Sequence, residues 1–298
     1  MHAWERSRTC ALFVSMKKKA LLAVLAHPDD ESFGIGGTVA RYVAEGVDVH
    51  VVIATDGVAG SVAQGYEEAL ERLAEQRAAE LEAATRVLGC SLHTLDYRDS
   101  GYIGDPANHH PDAFVNADEV EVIGRVVGLI RQIRPLVVIT HDETGGYFHP
   151  DHILCWKITT AAFRAAGDPS QYPEMGPGPY QPRGLYYSVI PRRRIAYFVL
   201  FMRLRGQDPN KGGRDKNVDF TRIGVSPKEI NAYVDYGQYW EVKRAAKAKH
   251  VSQGGDTGLR PMLPVWIEKK FLAKEAYVRA YPPAPHGLRE DDLFSSLT

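Results

Sequence analysis

The chain has 298 residues, 36 Lys and Arg against 37 Asp and Glu, and a formal net charge of -1. Hydrophobic residues make up 44% and charged residues 24%, which excludes a disordered chain and gives no overall field for nucleic acid or an anionic membrane. Three cysteines (Cys10, Cys90 and Cys155) cannot all pair and show no CxxC spacing, which excludes a disulfide framework and a zinc knuckle.

Residues 1–16 read as an extension, because their apolar run from Ala11 to Val14 is too short for a signal-peptide core. No stretch approaches the roughly 20 apolar residues of a membrane span, so a soluble cytoplasmic protein is expected. The run ALLAVLA (20–26) predicts a buried parallel strand ending at His27. A helix follows over 31–45, weakened by Gly34, Gly36 and Gly37 or opened by them to a close approach. Strands are predicted at 47–57, 91–97, 136–142 and 184–190, with helices at 67–88, 118–134 and 150–166 between them. Further helices are expected at 226–250 and 264–280, and an irregular tail from Pro282. This alternation predicts an α/β fold with a Rossmann-like, mostly parallel sheet and helices on both faces. The core is placed at 17–190, and 191–298 is read as a C-terminal part completing the fold and the substrate pocket.

Two histidine–acid clusters stand beyond apolar strands: His27-Pro28-Asp29-Asp30-Glu31, and His149-Pro150-Asp151-His152. In such sheets ligands bind at the carboxyl ends of the strands, which is where both clusters fall. Each cluster alone reads equally well as a helix N-cap, since Asp accepts from free backbone N–H groups there. Together they supply the three or four N/O ligands of a metal site with one position left for water. Zn²⁺ suits that donor set, which also accepts Fe²⁺ or Mn²⁺.

AHPDDE followed by HPDH resembles the LmbE-like (PIG-L) family of zinc-dependent N-acetylglucosaminyl deacetylases, over about residues 17–255. The resemblance implies that His27, Asp30 and His152 ligate the metal and that Asp29 is the general base. It implies further that His149, oriented by Asp151 and protonated, and Tyr147 in GGYFHPDH hold the oxyanion. The segment RDSG (98–101) is similar to the mycothiol branch, where the residue matching Asp99 binds a sugar hydroxyl; read plainly, it is a turn. Arg77 matches the family's sugar-contacting arginine, beside the alternative of an ordinary Arg77–Glu80 surface pair. The late segment Lys247…His250-Val251-Ser252-Gln253 offers a substrate contact at His250, or a plain helix terminus. The HPD at 110–112 follows no strand and reads as a loop near the site mouth.

The activity so implied removes the N-acetyl group of a small GlcNAc conjugate, of the GlcNAc-malate or GlcNAc-inositol type, in bacillithiol or mycothiol synthesis. Rival readings are a thiol S-conjugate amidase, a non-catalytic sugar- or metal-binding protein, and a glycolipid deacetylase at a membrane surface. The last rests on IAYFVLFM (195–202), flanked by Arg192, Arg193, Arg194, Arg203 and Arg205, which suits an interfacial helix, a lid, or a helix packed in the core or between subunits of a homo-oligomer.

Overall fold

Six consecutive apolar residues, Ala20–Leu25, form strand β1, and every one is buried. Strand geometry sends alternate side chains to opposite faces. Leu21, Ala23 and Leu25 enter one hydrophobic core, and Leu22, Val24 and Ala26 enter the other. A strand covered on both sides is the parallel-sheet pattern predicted from the run. The computed structural model describes residues 18–60, 62–63, 72–213, 216–255, 269 and 272–297. The expected 1–16 extension, Cys10 and the 67–71 start of a predicted helix lie outside them.

β1 pairs in parallel with β2 (Asp48–Thr55) and with β4 (Val137–His141). The sheet has seven strands in the order β3-β2-β1-β4-β5-β7-β6, with β3 Ser91–Tyr97, β5 Gly184–Val189, β6 Ala232–Asp235 and β7 Lys274–Tyr281. The chain steps outward from β1 to β3, then returns to place β4 on the other side of β1. The topological switch point is therefore between β1 and β4.

The predicted helix over 31–45 is two pieces, α1 (Asp30–Phe33) and α2 (Gly36–Ala44). Gly37 explains the glycine-rich joint, because a Cβ there would overlap the Tyr236 ring. Glu275 caps α2 from β7, accepting from Gly37 N at 3.0 Å and Thr38 N at 2.7 Å and pairing with Lys243. Helix α3 (Leu73–Leu88) ends at Gly89, in the left-handed conformation with φ 77. On the other face lie α4 (Glu119–Ile133), capped by Asp118, and α6 (Pro150–Ala165). The buried Arg131 of α4 reaches the loop after α6, where it donates to five carbonyls from Ala166 to Met175.

Two predicted helices are corrected. Residues 226–250 hold β6 and then a short helix, α8 (Trp240–Lys247). The described part of 264–280 is dominated by β7, antiparallel to β5 and β6. The 192–204 segment is a helix, α7 (Arg192–Leu204), with Val199 and Met202 buried but Tyr197, Leu200 and Leu204 exposed, so of the readings its composition allowed, a helix buried within the core does not hold. The tail is irregular, yet it inserts Leu293, Phe294 and Leu297 into the main core. Among the described residues, no helix is long and apolar enough to cross a membrane.

Candidate metal centre and active site

β1 delivers His27 to the switch point, and the backbone then makes one strained turn. Asp29 sits at φ 133 and ψ -28, a region costing on the order of 1–3 kcal/mol for a residue with a Cβ. Its carbonyl accepts from Ser32 N at 2.9 Å and Phe33 N at 2.8 Å, and its N–H donates to Glu31 Oε2 at 2.9 Å. Glu31 is fully buried and in turn accepts from His250 Nε2 at 2.7 Å. Glu31 and His250 together therefore hold the strain in place.

Asp30 Oδ2 lies 3.8 Å from His27 Nδ1 and 3.4 Å from His152 Nε2, and those two nitrogens are 3.1 Å apart. Ligand atoms at metal bonds of roughly 2.0–2.2 Å in tetrahedral geometry stand about 3.3 Å from one another, so this triangle fits one ion. Behind it, His27 Nε2 meets Asp151 Oδ2 at 3.1 Å and Asp99 Oδ1 at 3.4 Å. A carboxylate behind a histidine ligand fixes its tautomer, here turning the Nδ1 lone pair toward Asp30 and His152. Burial opposes charge on His27, yet Asp99 and Asp151 hold it well above the usual histidine range, so the cluster draws in positive charge. Burial also disfavours charge on Asp30, but His152 and His141 keep it ionised, while burial keeps His152 neutral. Ionised Asp30 and neutral His152 are already in metal-binding states, and His27 joins them by giving up its Nδ1 proton as an ion enters.

His141, the last residue of β4, stacks on His152 at 3.8 Å between centroids, and its Nε2 accepts from Ala26 N at 3.2 Å and lies 3.5 Å from Asp30 Oδ2. Sequence reasoning passed over it, though its place at the end of a strand beside the switch point was the available signal. Glu31 was also missed, because its role appears only when His250 is brought against it.

The structure bears on three expected roles. Asp151 does not orient His149 through its carboxylate, which accepts from Ser100 N at 3.0 Å and meets His27. The backbone N–H of Asp151 donates to His149 Nδ1 at 3.3 Å instead, as the N-cap contact of α6. Burial, then the neighbouring His27, pushes His149 down to about 3, so it is a neutral imidazole with its proton on Nε2 rather than an imidazolium. His250, expected as a substrate contact, is fully buried with Nε2 2.7 Å from Glu31 Oε1, a place that suits positioning the Asp29 turn.

Tyr147 comes from the turn α5 (Gly145–Phe148), in which Gly145, Gly146 and Phe148 all have positive φ. Asp142 Oδ1 ties this turn by accepting from Thr144 N at 3.0 Å and Gly146 N at 2.9 Å. The Tyr147 ring lies 5.1 Å from that of His152, and burial with Asp30 and Asp29 keeps its hydroxyl protonated.

A cavity of about 380 Å³ opens beside the triangle, lined by His27, Asp29, Arg77, Asp99, Tyr147 and His149. Asp99 is buried, with Oδ2 accepting from Ala59 N at 3.1 Å and Oδ1 from Gly101 N at 2.9 Å. Arg77 is not the surface partner of Glu80. It is buried and binds the Gly57 and Gly60 carbonyls, while Glu80 accepts from Ser252 N at 2.9 Å. The 110–112 HPD lies in a loop, with His110 half-buried and Pro111 and Asp112 exposed, and none of the three lines the cavity beside the triangle. Burial pushes Asp29 well above the usual carboxylate range, with Asp30 as the next cause.

His250→Ala is expected to lower kcat by about 10- to 100-fold with little change in KM, since misplacing a catalytic group by an ångström costs that order. His250→Gln, which restores a donor to Glu31, should recover most of the loss. Steady-state kinetics below the melting transition check this, and a change confined to KM would contradict the positioning role.

Residues 22–163 match the PIG-L family, described as GlcNAc-PI de-N-acetylase. A 1D-myo-inositol 2-acetamido-2-deoxy-alpha-D-glucopyranoside deacetylase of Rhodococcus erythropolis is 46% identical, over 94% of this chain and 98% of its own. A mycothiol S-conjugate amidase of Streptomyces coelicolor is 36% identical, over 93% and 97%. The fold is shared with the N,N'-diacetylchitobiose deacetylase of Pyrococcus horikoshii, at TM-score 0.59 and 22% identity over 88% of this chain and 82% of that one. With its metal-fitting triangle at the switch point and relatives of this identity along nearly its whole length, the chain belongs to the PIG-L family.

Proposed function

We propose that this chain is a metal-dependent hydrolase that removes the N-acetyl group from a GlcNAc-inositol conjugate in low-molecular-weight thiol synthesis. One observation carries the reading: an unligated carboxylate, Asp29, lines a polar cavity next to a triangle of donors that fits one metal ion. His27, Asp30 and His152 would hold the ion. When bound, it supplies Lewis-acid polarisation of the amide carbonyl and a more acidic water.

The chain's own groups account for the rest. Asp29 takes the proton of the attacking water and returns it to the leaving amine. The Nε2–H of His149 and the hydroxyl of Tyr147 are neutral donors for the developing oxyanion, a kind of stabilisation worth roughly 3–4 kcal/mol per donor in other enzymes. Arg77 and Asp99 supply a cation and a carboxylate to orient sugar hydroxyls. A pure binding protein has no use for Asp29 at that place.

The test is amine release from GlcNAc-inositol and GlcNAc-malate, before and after chelation and after Zn²⁺, Fe²⁺ or Mn²⁺ is restored. Release that chelation abolishes and a metal restores, faster with GlcNAc-inositol, is the expected result. His152→Ala should lose the metal by elemental analysis. Undiminished release after exhaustive chelation would overturn the reading.

A further inference from the structure

Helix α7 leaves one face without a partner. Of its thirteen residues, RRRIAYFVLFMRL, only Val199 and Met202 are buried, and the ring of Phe198 leans on Phe220 at 5.0 Å between centroids. Residues three, four and eleven apart lie along one line of a helix, so Arg193, Tyr197, Leu200 and Leu204 form a single row. Tyr197 is 62% exposed, Leu200 54% and Leu204 78%, the last being the most exposed large hydrophobic side chain among the described residues. The row on each side begins and ends with arginine, Arg192 and Arg203 on one, Arg194 and the C-terminal cap Arg205 on the other.

An apolar row thus sits in a cationic frame. Residues 192–205 hold five arginines and no Asp or Glu, in a chain whose net charge is -1. Overall charge gives no pull toward an anionic surface, so any attraction is local to this helix. Arg192 donates to Gly224 O, Arg194 donates to Lys274 O and Arg205 lies over the Phe201 ring, all neutral partners. Among the described residues none of the five arginines forms an ion pair, and Arg193 and Arg203 have no hydrogen-bond partner either. A second copy of this chain, in a two-fold contact through α7, would bring the same five arginines face to face. Nucleic acid offers phosphates but no apolar depth for Leu200 and Leu204. The headgroup region of an anionic bilayer offers both, phosphates at its rim and acyl chains just below. At about 20 Å long, α7 fits within that region and does not span the bilayer.

We propose that α7 is a docking helix for the surface of an anionic lipid bilayer. Tyr197, Leu200 and Leu204 enter the headgroup boundary, and the arginines reach lipid phosphates with their stems along the apolar row. The helix is fixed to the end of β5 by Val225, which donates to Ile190 O and accepts from Arg192 N, each at 2.9 Å. Pro191 and Arg194 also line a cavity next to Asp30, His141 and His152, so the docked face adjoins the donor triangle. The docking is independent of the hydrolase reading: it sets where the chain works, not which bond it breaks.

The experiment is co-sedimentation of the full chain with phosphatidylcholine vesicles, with and without phosphatidylglycerol as roughly one lipid in three. Binding to the anionic vesicles, weakened by salt and absent from phosphatidylcholine alone, is the expected result. Arg193→Gln/Arg203→Gln should lower the partition coefficient by roughly 10- to 30-fold, the attraction that two arginines near such a surface supply. Leu200→Ser/Leu204→Ser should lower it by about 10-fold or more through lost apolar burial. All four side chains are exposed, so both variants should melt within about 2 °C of wild type. Leu204→Trp gives a direct signature, an added emission that shifts to the blue on anionic vesicles and resists acrylamide quenching. No binding to phosphatidylglycerol vesicles would overturn the docking, and so would binding that the leucine variant keeps in full. A dimer in light scattering that the leucine variant disperses, or retention on duplex DNA, in either case without vesicle binding, would overturn it in favour of that partner.

Discussion

Asp29→Asn lowers kcat by roughly 10²- to 10⁴-fold, the contribution of a positioned general acid–base, and leaves the bound metal at one equivalent of wild type. The separation follows from geometry. Asp30, His27 and His152 form the donor triangle without Asp29, whose carboxylate lines the neighbouring cavity. Asn is the informative replacement because Asp29 has φ 133, and Asn tolerates positive φ better than most residues with a Cβ. It also keeps the backbone N–H that donates to Glu31. The loss should therefore appear in turnover and not in melting temperature. Turnover within threefold of wild type, at unchanged metal content, would remove Asp29 from the mechanism and pass proton transfer to another group.

The largest effect on stability is expected far from the metal. Arg131 is 1% exposed and sends Nε to Ala166 O at 3.1 Å, Nη1 to Met175 O at 3.0 Å, and Nη2 to Asp168 O at 2.9 Å and Gln171 O at 2.8 Å. These carbonyls belong to the loop between α6 and β5, a stretch with no regular structure to satisfy them. Arg131→Met keeps the length of the apolar stem but strands the carbonyls, so it should cost about 3–5 kcal/mol. For a chain of this size that lowers Tm by roughly 6–15 °C. Lys should rescue little, because one ammonium cannot replace a planar fork serving several acceptors. Thermal melts of the metal-free forms would check this, and a shift under about 2 °C would contradict it.

Strands β1, β2 and β4 were legible because burial on both faces favours apolar runs, as in ALLAVLA, whereas β3 is a largely exposed edge strand whose place in the alternation marked it. The second half was harder for the same physical reason in reverse. KEAYVRAY (274–281) carries Lys, Glu and Arg between small and aromatic residues, and local propensity allows a helix. Its pairing with β5 and β6 makes it a strand, with Glu275 turned to α2 and Tyr277 buried. Metal candidates were legible because both histidine clusters follow recognisable strands. The orientation of Asp151 was not, since one residue contributes a backbone N–H to His149 and a carboxylate to His27. Nothing in spacing separates those two roles.

The hold on Asp29 has a consequence for how such a chain can be inherited. Glu31 and His250 are 219 positions apart, and Gln253 Nε2 also donates to Pro28 O at 2.6 Å. The segment matching the family, 22–163, carries the three proposed metal donors and the proposed base, yet neither His250 nor Gln253. Recombination between divergent relatives at any crossover from 164 to 249 would transmit an intact ion-binding half and uncouple it from the residues that aim its base. Such chimaeras would load metal and turn over poorly until positions 31 and 250 were matched again.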